Sequence, residues 1–291
     1  MSERDWVAAR FEEHRPRLRA LAHRMLGSVA EADDALQDAW LRIDRADTSA
    51  VENPGGWLTT VVARVCLNLL RARGTRREEE LSADLLPASA TRVTDPEEEA
   101  LLADSVGLAL LIVLDTLAPA ERLAFVLHDM FQVPFDEIAP LIDRTPVATR
   151  QLASRARRRV KGAPVPAGDA SRRHRVVRAY LAATRGGDFD ALLALLHPDV
   201  VLRADRAVVP TPEPVLVRGA RPVAEGAMAS LGRARSAALV LVDGEIGMAM
   251  LEEGRLRVLL RFAFDGGLVT EIDVVAEPER LRELELAVVQ G

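Results

Sequence analysis

Apolar positions keep a helical period from Val7 to Val160, then break up into shorter runs divided by Asp-Gly and Glu-Gly pairs. Val7, Phe11, Leu18, Leu21 and Met25 mark an amphipathic helix, interrupted or restarted at Pro16 and ended at Gly27. Ser28-Val29-Ala30-Glu31 then reads as a capping box. The helix after it buries Leu36, Trp40 and Ile43 and shows Asp33, Asp34, Gln37 and Asp38 on its other face. Acidic residues in a first turn complement the helix dipole, which accounts for Asp33 and Asp34. Asp38 lies deeper than that effect reaches and points to a partner surface. Asn53-Pro54-Gly55-Gly56 breaks the chain again. A helix from Trp57 to about Arg73 buries Leu58, Val62, Val65 and Leu69. It places Arg64, Asn68 and Arg71 together at i, i+4, i+7, and Arg73, Arg76 and Arg77 follow. That face fits a solvated surface and a nucleic-acid surface equally well.

The stretch from Phe135 to Val160 predicts a helix-turn-helix. Ile138, Leu141 and Ile142 give the first helix its apolar face, and Asp143-Arg144-Thr145-Pro146 ends it. Thr145 caps the next helix, with Pro146 in the first turn, where a missing N–H costs nothing. On that helix Val147, Leu152 and Val160 are apolar, whereas Thr149, Arg150, Gln151, Ser154, Arg155 and Arg158 are polar. From Arg144 to Gly168 the chain has no acidic residue, only a series of arginines and Lys161. A basic helix behind a tight turn suits the DNA major groove. Arg and Gln read base edges there, and trailing arginines hold phosphates. An Arg run alone is more often a solvated face; the turn, the cap and the preceding amphipathic helix favour DNA.

Ahead of this element, residues 78–94 read as an acidic linker. Asp95-Pro96-Glu97-Glu98 is a strong helix start, its helix runs to about Leu117, and Pro119 begins another. Beyond residue 162, Ala163 to Gly168 form a short tether. Val176, Val177, Tyr180 and Leu181 mark a helix, Asp188 caps a second, and His197-Pro198-Asp199 reads as its stop and turn. A strand begins at Val200, residues 220–232 read as helix, and strands are predicted near 237–243, 245–252, 255–264 and 268–275. Hairpin turns at Asp243-Gly244, Glu253-Gly254 and Asp265-Gly266-Gly267 separate the last four. The whole predicts a multidomain chain: two all-α domains, the second with the helix-turn-helix, and a C-terminal α+β domain whose sheet curls over a helix. The boundaries fall at 1–77, 78–104, 105–162 and 170–291.

A chain of 291 residues is long enough for this division. Its net charge of −6 argues against DNA until it is divided by segment. Residues 1–77 and 105–162 are each net +2, residues 163–291 are net −2, and the net −8 of residues 78–104 holds the excess acidity. A single cysteine, Cys66, excludes an intrachain disulfide and suits a reducing cytoplasm. The chain opens without a signal-peptide pattern, and its longest apolar run, Leu108 to Leu114, is too short to span a bilayer. No metal-ligand spacing, Gly-rich phosphate loop or Ser/His/Asp set is present, so neither a metal nor a cofactor is expected.

Four stretches in order resemble the extracytoplasmic-function sigma factors. They are EADDALQDAWLRI, PGGWLTTVVARVCLNLLRARGTRRE, LAPAERLAFVLHDMF and FDEIA followed by RTPVATRQLASRARRRV. The resemblance implies that the helix with Asp34, Gln37 and Asp38 docks on the clamp helices of RNA polymerase core, with the flap a further contact. It implies that residues 44–56 and the Arg64, Asn68, Arg71 face engage the melted −10 element. It also implies that Arg144, Thr149, Arg150, Gln151, Ser154 and Arg155 approach the −35 element. In the third segment DFDALLALLHPDVVL, VRGA and FAFDGGLVTEIDVVAEPERLREL resemble a SnoaL-like domain, a cone-shaped α+β fold that a subgroup of these sigma factors carries at its C-terminus. The chain departs from that subgroup at Asp84 to Ala88 and at Asp243 to Gly247.

A tether of only a few residues gives the C-terminal domain a high effective concentration, so a regulatory contact within the chain is expected, made by Asp265, Gly266 and Gly267, a turn that matches the family's pattern, and by the acidic linker. Loss of the whole domain is expected to lower activity, and trimming the tail after about Glu277 to relieve inhibition. Two other readings stand beside it: a one-component, ligand-sensing helix-turn-helix regulator, and a cyclase or hydrolase with a DNA-binding appendage. For the latter the acid–base candidates are His197, Asp199, Glu271 and Asp273. Each has a plainer role in a turn or on a strand face, where Arg257 or Arg261 would pair with the carboxylates. No enzymatic activity is expected.

Overall fold

The structure, a computed structural model, describes residues 3–48, 51–80, 105–161, 168–208 and 213–289. The acidic stretch from residue 81 onward, the helix start at Asp95 and the tether at 162–167 lie outside these. By contacts the chain divides into two compact units. One holds Met1–Asp95 with Leu117–Arg157, the other Pro96–Thr116 with Arg158–Gly291.

The first unit begins with α1 (Glu3–Leu26), α2 (Val29–Ile43) and α3 (Pro54–Glu80). α1 runs unbroken through Pro16. Phe11, Leu18, Leu21, Met25, Leu36, Ile43, Leu58, Val62 and Val65 are buried between the three helices, as their spacing predicts. Trp40 is half-buried, its ring 5.1 Å from that of Phe11. Only one arm of the expected capping box forms. Ser28 accepts from Glu31 N–H, but the Glu31 carboxylate turns to Arg73. α3 starts three residues earlier than predicted because Asn53 Oδ1 accepts from Gly56 N–H at 3.0 Å, with Pro54 in the first turn.

The same unit contains α5 (Pro119–Phe125), a π-helical turn (Val126–Met130), α6 (Phe135–Ile138) with a 3-10 turn (Ala139–Leu141), and α7 (Pro146–Lys161), which reaches past its boundary. Arg122 of α5 is 1% exposed, and its Nε donates to the Arg24 carbonyl at 3.1 Å. Arg17 of α1 donates to the Phe131 carbonyl at 2.8 Å. Two carbonyls at helix and turn ends are thus satisfied by long cationic side chains.

The second unit is built on a seven-stranded sheet. Its strands are β1 (Leu196–Ala204), β2 (Val215–Arg218), β3 (Ala237–Val242), β4 (Glu245–Glu252), β5 (Arg255–Asp265), β6 (Leu268–Val275) and β7 (Leu286–Val288), in the order β2-β1-β6-β5-β4-β3-β7. The hairpins are those predicted. Asp243, Glu253 and the glycines after them have positive φ, as tight two-residue connections require. Three features differ from expectation. His197, Pro198 and Asp199 lie inside β1, whose register shifts between Leu196 and Val201. β1 runs parallel to β6, so the sheet is mixed. The short strands β2 and β7 extend its edges, and their few residues give too brief an alternation to stand out in the sequence.

Alternation along the strands divides two apolar cores. On one face α8 (Asp169–Gly186), α9 (Phe189–Leu193) and α10 (Ala220–Ala229), which the short α11 (Leu231–Ala234) follows, contribute Val177, Tyr180, Leu192 and Val223 against Met248, Phe262 and Ile272. Tyr180 meets Phe262 edge-on at 5.3 Å. On the other face α4 (Ser105–Asp115) and α12 (Pro278–Glu283) bring Leu108, Leu111, Ile112 and Leu281 against Val240, Leu251, Leu259 and Leu286. Asp115 accepts from Leu256 N–H at 2.9 Å. The sequence places residues 105–116 with the helix-turn-helix, whereas by contacts they group with the sheet. The physical reason is composition: α4 is apolar around most of its circumference, and such a helix needs cover on more than one side.

Candidate nucleic-acid interface

α7 sits behind a turn in which Asp143 takes a left-handed φ of 52°. An Asp tolerates that conformation better than a branched residue would. Thr145 Oγ1 accepts from Ala148 N–H at 3.2 Å, so the predicted cap forms. The buried stripe of α7 is Thr149, Ala153 and Ala156, whereas the bulkier Leu152 and Val160 are half-buried and Val147 is exposed. The helix is therefore rotated relative to the reading from side-chain bulk. Thr149 hides its hydroxyl by donating to the Thr145 carbonyl at 2.9 Å, so it can be buried with the two small alanines.

This rotation sorts the candidates. Arg144, Arg150, Gln151, Ser154 and Arg155 are exposed. Thr149 is 0% exposed, which withdraws it from any surface that meets DNA. Val147, apolar in the sequence, is 62% exposed at the start of the helix. An apolar side chain there adds a contact suited to a thymine methyl group. The arginines are not equivalent. Arg155 is paired with Glu121 at 3.2 Å. Arg157 grips Asp129 with two hydrogen bonds, which raises its pKa and spends its donors inside the fold. Arg159 donates to the Thr116 hydroxyl at 2.8 Å. Arg150 has its guanidinium 5.4 Å from the centre of the Phe135 ring.

Two further faces lie in the first unit. On α2, Asp34, Gln37 and Asp38 are exposed, and Leu41 beside them is 54% exposed. Asp33 is set apart from them, held by Arg19 at 2.8 and 3.1 Å. Leu41 was not read as a surface residue; helical spacing puts it one turn on from Gln37, on the same face. On α3, Arg64, Asn68 and Arg71 are exposed along one line. Behind them Cys66 is fully buried, and burial pushes its thiol up to about 12. His23 in the same core is pulled down to about 4 by burial and by nearby Arg24, Arg19 and Arg122.

In the second unit the Asp265-Gly266-Gly267 turn packs on α8. Arg172 donates to the Gly266 carbonyl at 3.2 Å, and a Cβ on Gly267 would collide with the same guanidinium. A cleft of about 320 Å³ lies there, lined also by Asp169, Arg173, Val176 and Phe264. Of the acid–base candidates, Glu271 pairs with Arg203 and Asp273 with Arg280 at 3.0 Å. The partners foreseen for them, Arg257 and Arg261, turn instead to Glu252 and Asp243, both at 3.8 Å. The reason is that Arg280 arrives from α12, an element whose placement sequence spacing does not give. His197 and Asp199 lie on the irregular part of β1. Among the described residues no group of His, Cys, Asp or Glu is arranged to hold a metal ion, and no helix is long and apolar enough to cross a membrane.

Residues 10–76 match the family model Sigma-70 region 2, and residues 108–160 match Sigma-70, region 4. The chain is 34% identical over 288 residues to the probable ECF RNA polymerase sigma factor SigI of Mycobacterium tuberculosis, covering 98% of both chains. It is 40% identical over 246 residues to the ECF RNA polymerase sigma factor SigJ of the same organism, covering 81% of this chain and 78% of that one. A crystal structure of the Mycobacterium tuberculosis extracytoplasmic function sigma factor SigJ is similar over 94% of this chain and 98% of that chain, with 32% identity and a TM-score of 0.45.

Proposed function

The chain belongs to the extracytoplasmic-function RNA polymerase sigma factors, and from that premise we propose how its surfaces divide the work. A sigma factor gives RNA polymerase core its promoter specificity and so starts transcription at chosen sites. The acidic face of α2, with Asp34, Gln37, Asp38 and the exposed Leu41, docks on the clamp helices of the core enzyme. Arg64, Asn68 and Arg71 of α3 face the melted −10 element. Arg144, Arg150, Gln151, Ser154 and Arg155 face the −35 duplex, joined by Val147. The observation that carries this assignment is the rotation of α7. It turns small residues inward and leaves a basic, acid-free helix face outward behind a capped turn. Arginine forks there suit base edges, and exposed arginines suit phosphates. Acting on RNA polymerase places the protein in the cytoplasm.

The C-terminal unit serves as a regulator in cis, not as an enzyme. What supports this is the packing of α4, whose residues from Leu108 on fall within the region 4 match, on the sheet of that unit. The carboxylates Glu271 and Asp273, which acid–base work would need, are held in ion pairs. The test of the central reading is run-off transcription with core polymerase, the full chain and a DNA fragment from upstream of its own coding sequence. A transcript that depends on the chain is expected. Absence of core binding, with duplex binding retained, would move the ligand-sensing regulator ahead.

A further inference from the structure

We infer that Phe135 is a specificity-determining positioning residue, which holds the Arg150 guanidinium ready to read one base pair of the −35 duplex. This rests on α7 being the −35-reading helix. Phe135 is the first residue of α6, on the near side of the turn from α7. The Arg150 guanidinium stands over its ring at 5.4 Å. The ring is in turn stacked on His128, with centroids 3.8 Å apart and planes 24° apart. His128 is fixed by its Nδ1–H, which donates to the Val133 carbonyl at 3.1 Å. A chain of contacts therefore leads from the backbone of the loop before α6, through two rings, to the guanidinium.

The chemistry of this support differs from that around the other arginines. Arg157 spends both prongs of its fork on Asp129, and Arg155 turns its Nε to Glu121 while the rest of its side chain stays exposed. An aromatic face attracts the guanidinium through its quadrupole and leaves the N–H edge open. Arg150 thus loses conformational freedom before DNA arrives, with its fork free for the O6 and N7 of a guanine. Affinity gained by ordering a side chain in advance appears where that side chain makes its contact, and nowhere else. The effect is therefore a base preference at one position, not a general gain in DNA binding.

The experiment uses holoenzyme, assembled from core polymerase and the full chain, equilibrated with a promoter fragment it transcribes, randomised across the −35 window. Bound DNA is sequenced for base preference at each position. Phe135→Leu keeps apolar bulk and removes the ring. It should lower the preference at one position by roughly 3- to 30-fold, the span of a cation–π contact. The position affected should be the one lost in Arg150→Ala, with the other positions unchanged. Phe135→Trp should restore it. If Phe135→Leu fails to fold in a melting check, Phe135→Met takes its place, and the Arg150 δ-methylene protons of the unaltered protein give a second measurement, since ring current should shift them upfield. A preference that survives loss of the ring while Arg150→Ala abolishes it would overturn the inference. A general loss at every position would also overturn it, because that is the signature of a merely structural role. If Arg150→Ala changes nothing, it is the reading of α7 itself that fails.

Discussion

Arg157 and Asp129 form a two-pronged ion pair, Nε to Oδ1 at 2.6 Å and a second guanidinium nitrogen to Oδ2 at 2.9 Å. It ties the C-terminal part of α7 to the π-helical turn that precedes the helix-turn-helix. With side chains 36% and 20% exposed, the pair is neither a solvated surface contact nor a buried one. Charge-assisted, bidentate geometry puts its worth at the upper end of the surface range.

Arg157→Ala should therefore cost about 1–2 kcal/mol of stability. Thermal unfolding of the full chain measures this. A loss of promoter binding with unchanged stability would instead assign Arg157 to the DNA surface.

His23 makes stability depend on pH. In the folded chain its pKa lies near 4, below the ordinary 6.5 it regains on unfolding. The unfolded state then binds the proton more readily between these values. The contribution is fully present above about pH 6.5 and is lost as pH falls towards 4. His23→Gln should flatten the slope of unfolding free energy against pH in that window. An unchanged slope would show that other groups set it.

Cys66 should behave as an inert thiol. Its side chain is fully buried and its pKa is pushed up to about 12, so at pH 8 almost no thiolate exists in the folded state. Labelling by an aromatic disulfide reagent should then follow the rate of unfolding and rise steeply in denaturant. Rapid labelling of the native chain would place a channel to α3 that the packing does not contain.

Asp34→Arg and Asp38→Arg should weaken capture of core polymerase while leaving stability within about 0.5 kcal/mol of the parent, since both residues are exposed. Pull-down with core enzyme beside a melting curve separates the two effects. Full binding by both variants would remove the acidic face of α2 from the docking surface.

Much of this was legible in the chain because local chemistry and packing agree. Asp243-Gly244 and Glu253-Gly254 take the positive φ of tight hairpin turns between two alternating apolar runs, and the Arg64, Asn68, Arg71 line follows from helical period alone. What was not legible turns on choices made by neighbours. Thr149 looks polar in the sequence, yet its hydroxyl is satisfied by the carbonyl of Thr145, so it can be buried beside Ala153 and Ala156. Val147 looks apolar, yet the same rotation exposes it. His197-Pro198 is a common helix stop, yet it lies inside β1, in the irregular stretch between the pairs Leu196–Val269 and Val201–Glu271 that β1 makes with β6. The cover on α4 comes from strands far along the chain, beyond the reach of any periodicity.

The tail after Glu277 offers the sharpest test of regulation in cis. Asp205 anchors its start, accepting from the N–H groups of Ala276 and Glu277, both at 2.8 Å. Beyond that anchor Leu281 and Leu286 enter the core that holds α4, and β7 pairs with β3 from Val240 to Val242. Ending the chain at Pro278 would remove both leucines and bare the β3 edge, loosening the bed of α4 without destroying the remaining sheet. Ending it at Gly162 would do something different. It would strip the whole sheet away and expose Leu108, Leu111 and Ile112, which sigma domains alone would have to cover. Transcription from one promoter should accordingly rise above the full-length level for the chain ending at Pro278. It should fall below that level for the chain ending at Gly162, with increased binding of a hydrophobic dye. Leu286→Ser in the full chain should move transcription in the same direction as the shorter truncation. Equal transcription from all of these forms would leave the C-terminal unit without a regulatory role, and a ligand bound there would become the better account of it.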